Sequence, residues 1–158
     1  MDRRRMMMSI RRDLVIFKYG NDKLSNGELW RSGNFDEGTL NIKCKSNGDG
    51  TYRSDPNYIS GISFGKHENL CIRLNVPSYA TLQGSKEFLM AAGYGPASAS
   101  VSNPDEWTKA IRYTAEGFYT SKIPLDEIKE GDVIFLLANG GTTSGVYAEM
   151  EIHDIWLE

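Results

Sequence analysis

Short runs in which apolar and polar residues strictly alternate constrain this chain more than any other feature. Residues 39–44 place Leu40, Ile42 and Cys44 on one parity, and residues 70–76 make every second position apolar. Successive side chains of a β-strand point to opposite faces, so this alternation indicates strands with one buried face. Sixteen Gly and 11% aromatic residues fit short strands joined by tight turns. The sequence therefore predicts an all-β protein.

Two runs in the second half of the chain predict strands with different surroundings. Residues 86–94 are apolar on both parities, which is typical of a central strand covered on two faces. A later run keeps a single parity, and the residues on that predicted face are Trp107, Lys109, Ile111, Tyr113 and Ala115. This parity predicts that Trp107 packs in the core beside Ile111 and Tyr113.

Near the C-terminus the alternation of residues 146–152 slips, because Ile155 and Leu157 fall on the opposite parity. A β-bulge near His153 and Asp154, or a change of face that turns Trp156 inward, would produce this slip. The pattern amounts to about eight to ten strands without an internal repeat, which is the scale of a two-sheet sandwich. We expect one antiparallel jelly-roll domain over residues 14–158.

The first thirteen residues form a basic, Met-rich arm that differs from the rest of the chain. The arm holds five of the 18 basic residues and two of the 21 acidic ones, which leaves 13 basic and 19 acidic groups in residues 14–158. An acidic body argues against nucleic-acid binding, since phosphate contacts need clustered Lys and Arg. We expect the arm to dock on a partner through Arg3, Arg4, Arg5, Met6, Met7, Met8, Arg11 and Arg12.

Targeting signals and membrane spans are not predicted. Arg11, Arg12 and Asp13 interrupt the apolar stretch of the arm before it reaches the ~7–15 residues of a signal peptide. No run approaches the ~20 apolar residues that cross a bilayer. The sequence predicts a soluble protein that does not insert into membranes.

Catalytic and metal-binding motifs are weak. Residues 61–65 match the Gly-x-Ser-x-Gly pattern around Ser63, with His67 nearby, but strand-type runs flank the match where a nucleophile elbow needs a strand, a turn and a helix. We expect no enzymatic activity. The two histidines lack metal-ligand spacing, and Cys44 and Cys71 are expected to be reduced, buried thiols.

The last 50 residues resemble the closing strands of galactose-binding-like jelly rolls, a group that includes many carbohydrate-binding modules. The resemblance lies in Ile123-Pro124-Leu125, in residues 128–134 and in residues 148–157. It implies a β-sandwich fold and no particular ligand. Such folds often carry a structural calcium between an early loop and the last strand. That would nominate Asp36 or Glu37 with Asp154, although solvated acids at strand ends are the favoured explanation of these residues.

Aromatic residues near predicted strand ends suggest glycan binding as an alternative function. A flat ring offers an apolar face to a pyranose, while nearby amides and acids bind its hydroxyls. The candidates are Trp30, Tyr79, Tyr94, Trp107 and Tyr119. Core packing is the competing role for Trp107, and exposed aromatics also occur at protein interfaces.

The arm resembles the short basic, Met-rich starts of structural proteins from bacteriophages of gut bacteria, such as head-fibre, tail and decoration components. This resemblance rests on residues 1–8. It implies a virion protein, assembled in the host cytoplasm, that docks by its arm to other virion proteins or to copies of itself as a homo-oligomer and displays the sandwich. A carbohydrate-binding module that recognises a cell-surface glycan is the alternative. No cofactor is predicted beyond the calcium described above.

Overall fold

A computed structural model describes residues 13–30, 34–45, 57–77, 89–139 and 147–158. Residues 1–12 of the arm and Tyr79 lie outside these ranges, so the docking and binding roles predicted for them stay predictions. Eleven strands occur in the described ranges: β1 (Leu14–Phe17), β2 (Glu28–Trp30), β3 (Asn34–Asp36), β4 (Thr39–Lys45), β5 (Asn57–Ser60), β6 (Asn69–Val76), β7 (Leu89–Gly95), β8 (Lys109–Arg112), β9 (Gly117–Pro124), β10 (Val133–Asn139) and β11 (Tyr147–Leu157).

The strands form two antiparallel sheets that pack face to face. Sheet A has the order β3-β4-β11-β6-β9, with β1 also paired to β11, and sheet B has the order β2-β5-β10-β7-β8. Apart from a single 3₁₀ turn at Pro104–Glu106, the described residues contain no helix. No helix in these ranges is long and apolar enough to cross a membrane. The predicted all-β, two-sheet sandwich is confirmed.

The inner faces of both sheets supply the main core, as the alternation predicted. On β6 the residues at positions 70, 72, 74 and 76 are at most 1% exposed, and Leu40 and Ile42 of β4 are fully buried. Sheet B faces them with residues that include Ile59, Met90 and Ile134. Burial of these aliphatic side chains is the main source of stability for such a fold, because each removes its apolar surface from water.

Two tyrosines tie the sheets together through polar contacts at the edge of this core. Tyr94 of β7 is fully buried, and its hydroxyl donates to the carbonyl of Pro124 at the end of β9 over 2.8 Å. Tyr113, just after β8, lies 2.8 Å from the hydroxyl of Ser121 on β9. Both bonds join sheet B to sheet A, so the tyrosines satisfy their hydroxyls inside the protein.

The outer face of sheet B is covered by a second apolar cluster. Ala91, Trp107, Val133, Phe135 and Leu137 form its buried part. The Trp107 indole stacks on Phe135 with 4.8 Å between ring centres, and its N–H donates to the carbonyl of Ser100 over 2.9 Å. The segment between β7 and β8 therefore folds back over the sheet and closes this face.

This arrangement corrects one prediction about the run from Trp107 to Ala115. The strand spans only Lys109–Arg112, and Trp107 belongs to the outer cluster while Tyr113 belongs to the core between the sheets. Trp107 is buried as expected, but on the opposite side of sheet B from Tyr113. Parity failed here because the chain bends at Trp107 and Thr108, between the 3₁₀ turn and β8, so the alternation of side chains between faces does not continue across this point.

The bulge predicted near the C-terminus is confirmed. Strand β11 pairs Ile152 with Leu74 and Asp154 with Arg73, so His153 is the extra residue. The insertion keeps Ile152 and Ile155 in the core, where both are fully buried. His153 and Asp154 consequently both lie on the outer side of sheet A.

Candidate functional site

A row of side chains crosses the outer face of sheet A on five neighbouring strands. Phe118 of β9 lies opposite Asn75 of β6, Asn75 opposite Glu151 of β11, Glu151 opposite Asn41 of β4, and Asn41 opposite Asn34 of β3. Directly paired residues project from the same face of a sheet. The Asn75 amide donates to Glu151 Oε2 over 3.4 Å. The row therefore joins amide and carboxylate groups to one exposed ring.

Three rings gather at the end of this row. Phe118 is 72% exposed and Tyr19, just after β1, is 56% exposed, which is unusual for large aromatic side chains. The imidazole of His153 lies between them, with ring centres 4.9 Å from Tyr19 and 5.7 Å from Phe118. Contacts at these distances stabilise ring pairs and hold them in place.

The bulge on β11 assembles this ring cluster. It turns His153 outward beside the two exposed rings and turns Asp154 outward as well. Asp154 accepts a hydrogen bond from the backbone N–H of Tyr19 over 3.2 Å and pairs with the Arg73 guanidinium at 3.4 Å. The loop that carries Tyr19 therefore contacts both bulge residues, His153 through the Tyr19 ring and Asp154 through the Tyr19 backbone.

Two grooves lie side by side on this face. The Phe118 groove has a volume of about 320 Å³, and its lining residues are Tyr19, Asp36, Glu37, Thr39, Asn41, Phe118, Glu149, Glu151 and His153. The Trp156 groove has a volume of about 210 Å³, and its lining residues are Asp13, Val15, Phe17, Lys18, Arg73, Asp154 and Trp156. The Arg73 guanidinium lies 5.7 Å from the Trp156 ring centre, within cation–π range.

The rim of the Phe118 groove is shaped by the turn between β3 and β4. Glu37 and Gly38 both have positive φ angles, 48° and 84°, and Asp36 pairs directly with Thr39. This is the two-residue hairpin geometry whose twist matches that of the flanking strands. A Cβ on Gly38 would meet Gly20 Cα at 2.8 Å, and the Gly20 N–H donates to the Gly38 carbonyl over 2.8 Å. The turn thus packs closely against the loop that carries Tyr19.

Ion pairs border the same face beyond the grooves. Lys122 of β9 pairs with Glu158, and this contact lowers the pKa of the Glu158 carboxyl and raises that of the Lys122 ammonium. Cys71 lies beneath this pair and is 1% exposed. Burial, assisted by the nearby Glu158 carboxylate, raises the pKa of its thiol to about 11. The thiol is therefore protonated at neutral pH, which makes it a packing group with no nucleophilic role.

Among the glycan candidates from the sequence, Trp30 is the one described ring that is well exposed. It is 46% exposed, stacks on Tyr58 at 6.0 Å and donates its indole N–H to Ser60 Oγ over 2.7 Å. Tyr94 and Trp107 are buried, and Tyr119 is partly buried against the core. The structure does not bring these residues together, and Trp30 lies on sheet B, away from the two grooves.

The sequence missed the residues that form the ring cluster, although a signal was present. On β9 the side chains of Ser121 and Ile123 point into the protein, so Phe118, which lies on the alternate set of positions, points outward. An aromatic residue on the solvent side of a one-faced strand is a pointer to binding. Tyr19 carried no such signal, because it follows its strand in a loop.

The calcium and hydrolase motifs do not converge on this face. Glu37 lines the Phe118 groove, while Asp154 lines the Trp156 groove and pairs with Arg73. In the part of the chain that the structure describes, no three His, Cys, Asp or Glu side chains are grouped to hold a metal ion. Ser63 lies in the loop between β5 and β6, beside a groove of about 530 Å³ against residues 128–131. A strand follows this loop, so a nucleophile elbow is not formed.

Comparisons with known proteins agree on the fold. No family model matches the sequence, and no curated protein matches it either. Two solved point mutants of a family 29 carbohydrate-binding module, from work on ligand recognition by that family, superpose with TM-scores of 0.55 and 0.54 at 11% and 12% identity. Each match covers 94% of this chain and 92% of the module. The chain shares the β-sandwich fold of these modules.

A third structure, of a carbohydrate-binding module of family 29, gives a TM-score of 0.55 at 11% identity over 94% of this chain and 89% of the module. The resemblance to carbohydrate-binding jelly rolls predicted from the sequence is therefore confirmed for the fold. These structural neighbours are carbohydrate-binding modules. None of the comparisons supports the predicted virion role, virion location or virion partners.

Proposed function

We propose that this protein is a glycan-binding module whose site is the outer face of sheet A. The observation that carries the proposal is the cluster of Tyr19, His153 and Phe118 at the end of a row of amide and carboxylate side chains. Sugars present apolar C–H faces together with hydroxyl groups, and this combination of exposed rings and polar side chains complements both. The shared fold with carbohydrate-binding modules supports the proposal.

The orientation of the rings favours a single glycan chain as the ligand over a flat crystalline surface. The Tyr19 and His153 planes are inclined by 36°, and the Phe118 and His153 planes by 77°. A flat surface would need rings in one plane to contact them together. A single flexible chain can follow rings that face different directions, and the grooves beside them provide the concave surface that encloses it.

The polar row provides hydrogen bonds for the hydroxyls of such a chain. Asn75 flanks Glu151 on β6 and offers its amide to a ligand, whereas Asn41 on β4 is only 7% exposed and its Oδ1 accepts from Thr39 Oγ1 over 3.1 Å, so Asn41 supports the row from below. Amide groups both donate and accept hydrogen bonds, whereas carboxylates only accept them. The row can therefore donate hydrogen bonds to sugar hydroxyls and accept hydrogen bonds from them. The strand framework fixes these groups in advance, which lowers the entropy cost of binding.

A glycan-array screen followed by calorimetry with the best oligosaccharide tests the proposal. Phe118→Ala is expected to weaken binding by about tenfold or more, because a few aromatic residues supply most of the binding energy of such sites. The matched control is Trp30→Ala, which removes an exposed aromatic ring from sheet B. Because Phe118 is 72% exposed, its truncation should leave the unfolding temperature nearly unchanged.

The outcomes separate the alternatives. Loss of binding in Trp30→Ala, with Phe118→Ala unaffected, would move the site to sheet B and contradict the location proposed. A protein that binds no glycan on the array contradicts the function itself. If such a protein also formed a defined oligomer by light scattering, the assembly role predicted from the N-terminal resemblance would be favoured instead.

A further inference from the structure

We infer that the Phe118 groove selects glycans that carry no carboxylate or sulfate group, and that Glu151 is a specificity-determining residue of this site. The inference rests on the glycan-binding function proposed above and adds the chemical class of the ligand. It follows from the distribution of charge around the rings. Four carboxylates line the groove: Asp36, Glu37, Glu149 and Glu151. Among its described lining residues there is no Lys or Arg.

The basic residues of this face lie beside other carboxylates, and Lys43 of β4 is paired directly with Glu149 of β11. Arg73 pairs with Asp154 at 3.4 Å, and Lys122 pairs with Glu158. Lys18 lines the neighbouring Trp156 groove together with Arg73. Proteins recognise anionic ligands through Arg or Lys positioned to form charge-assisted hydrogen bonds. The described lining residues of the Phe118 groove include no such group, and Lys43 is paired with Glu149 and not with Glu151, so an acidic sugar beside Glu151 would meet an excess of negative charge.

Glu151 is the carboxylate placed to act on a bound sugar. It stands two strands away from Phe118 in the same row, a separation of about 10 Å by the ordinary spacing of strands. A sugar stacked on the Phe118 ring would extend across part of that distance. A carboxylate carried by the sugar would then lie closer to the Glu151 carboxylate than the screening length of about 8 Å at physiological salt. The bond from Asn75 keeps Glu151 on this side of the sheet. Repulsion between two carboxylates at such a distance opposes binding of an acidic sugar, whereas a neutral sugar in the same position meets no such repulsion.

Matched pairs of oligosaccharides test this selectivity directly. Neutral oligomers of glucose, mannose and galactose are each compared with an oligomer of the corresponding uronic acid, equal in length and linkage. We expect any neutral oligomer that binds to bind at least roughly tenfold more tightly than its acidic counterpart. Raising the salt concentration to about 1 M, where the screening length falls to about 3 Å, should narrow the ratio.

Charge-neutralising variants identify the residue responsible. Glu151→Gln keeps the shape and hydrogen-bonding capacity of the side chain, and it should reduce the neutral-to-acidic ratio several-fold. Glu28→Gln is the matched control, since it removes one negative charge from exposed strand β2 of sheet B and should leave the ratio unchanged. An effect of net charge alone would change both variants equally and would contradict the role of Glu151.

Failure of this inference differs from failure of the proposed function. Equal or tighter binding of the uronic acid oligomers in the wild-type protein overturns the selectivity and leaves glycan binding intact. A preference for the neutral oligomers that Glu151→Gln does not reduce overturns the role of Glu151. If no oligosaccharide of either class binds, the glycan-binding function is itself overturned, together with the inference that depends on it.

Discussion

The ring of Phe118 meets the imidazole of His153 edge-on, with 5.7 Å between ring centres and 77° between the planes. His153 reaches this position only because it is the extra residue of the β11 bulge. A local irregularity of one strand therefore builds the contact on which the candidate site depends. Bulges that redirect a side chain beside a binding site are a recurring device in sheets.

Removing the imidazole should weaken the site without unfolding the protein. In His153→Ala, Tyr19 and Phe118 lose the ring that lies between them, and we expect glycan affinity to fall by about fivefold to tenfold, from contacts of about 1 kcal/mol. His153→Phe restores a ring and should recover most of the affinity. Calorimetry measures both variants. If His153→Ala bound the glycan as tightly as the wild type, the imidazole would not be needed to position Tyr19 and Phe118.

The bond between Tyr113 and Ser121 is expected to stabilise the contact between the two sheets. Tyr113→Phe leaves the buried Ser121 hydroxyl without this partner, which should lower the free energy of unfolding by about 1–2 kcal/mol. Adding Ser121→Ala removes the unsatisfied group and should recover part of the loss. Urea denaturation of the two single variants and the double variant measures the coupling. Strict additivity of the two changes would contradict it.

The Cys71 thiol should resist alkylation in the folded protein. Its pKa is raised from 9.0 to about 11, so at pH 8 it is almost entirely protonated as well as buried. Iodoacetamide labelling followed by peptide mass spectrometry should show slow modification of Cys71 in buffer and rapid modification in denaturant. Fast labelling of the native protein at pH 8 would contradict the burial of this thiol.

The same shift predicts a contribution to alkaline sensitivity. The folded thiol holds its proton up to about pH 11 while the unfolded thiol loses it near pH 9.0, so the folded state binds more protons between these values. The contribution of this group to stability is therefore complete below pH 9 and is lost as the pH rises to 11. Cys71→Ala should show a smaller loss of stability over that interval, as measured by denaturant unfolding at several pH values.

Two substitutions in the β3–β4 turn should change the free energy of unfolding in opposite directions. Glu37 adopts a left-handed conformation that Asn tolerates better, so Glu37→Asn should raise the free energy of unfolding by about 0.5–1 kcal/mol. Gly38→Ala should have the opposite effect, because the new Cβ would meet the Gly20 backbone at 2.8 Å in a strained conformation. Thermal unfolding measures the two changes. A Gly38→Ala variant as stable as wild type would contradict the close approach of the two loops.

The amino-acid sequence by itself determined which residues form strands and which face each strand buries. Alternation correctly predicted the burial of Leu40 and Ile42 on β4 and of positions 70, 72, 74 and 76 on β6, and the parity slip at Ile155 located the bulge. These features depend on the period of two along the backbone, which is local and can be read from neighbouring residues. Where the chain bends between the 3₁₀ turn and β8, the same rule assigned Trp107 to the wrong face.

Only the tertiary structure decided which strands became neighbours, and with them the site. Tyr19, Phe118 and His153 are separated by at least 35 residues in the chain and meet because β9, β6, β11 and β1 adjoin in sheet A. Parity indicates that a side chain points outward, but it carries no information about the strand beside it. That pairing is set by the packing of two whole sheets, in which many non-local contacts form together.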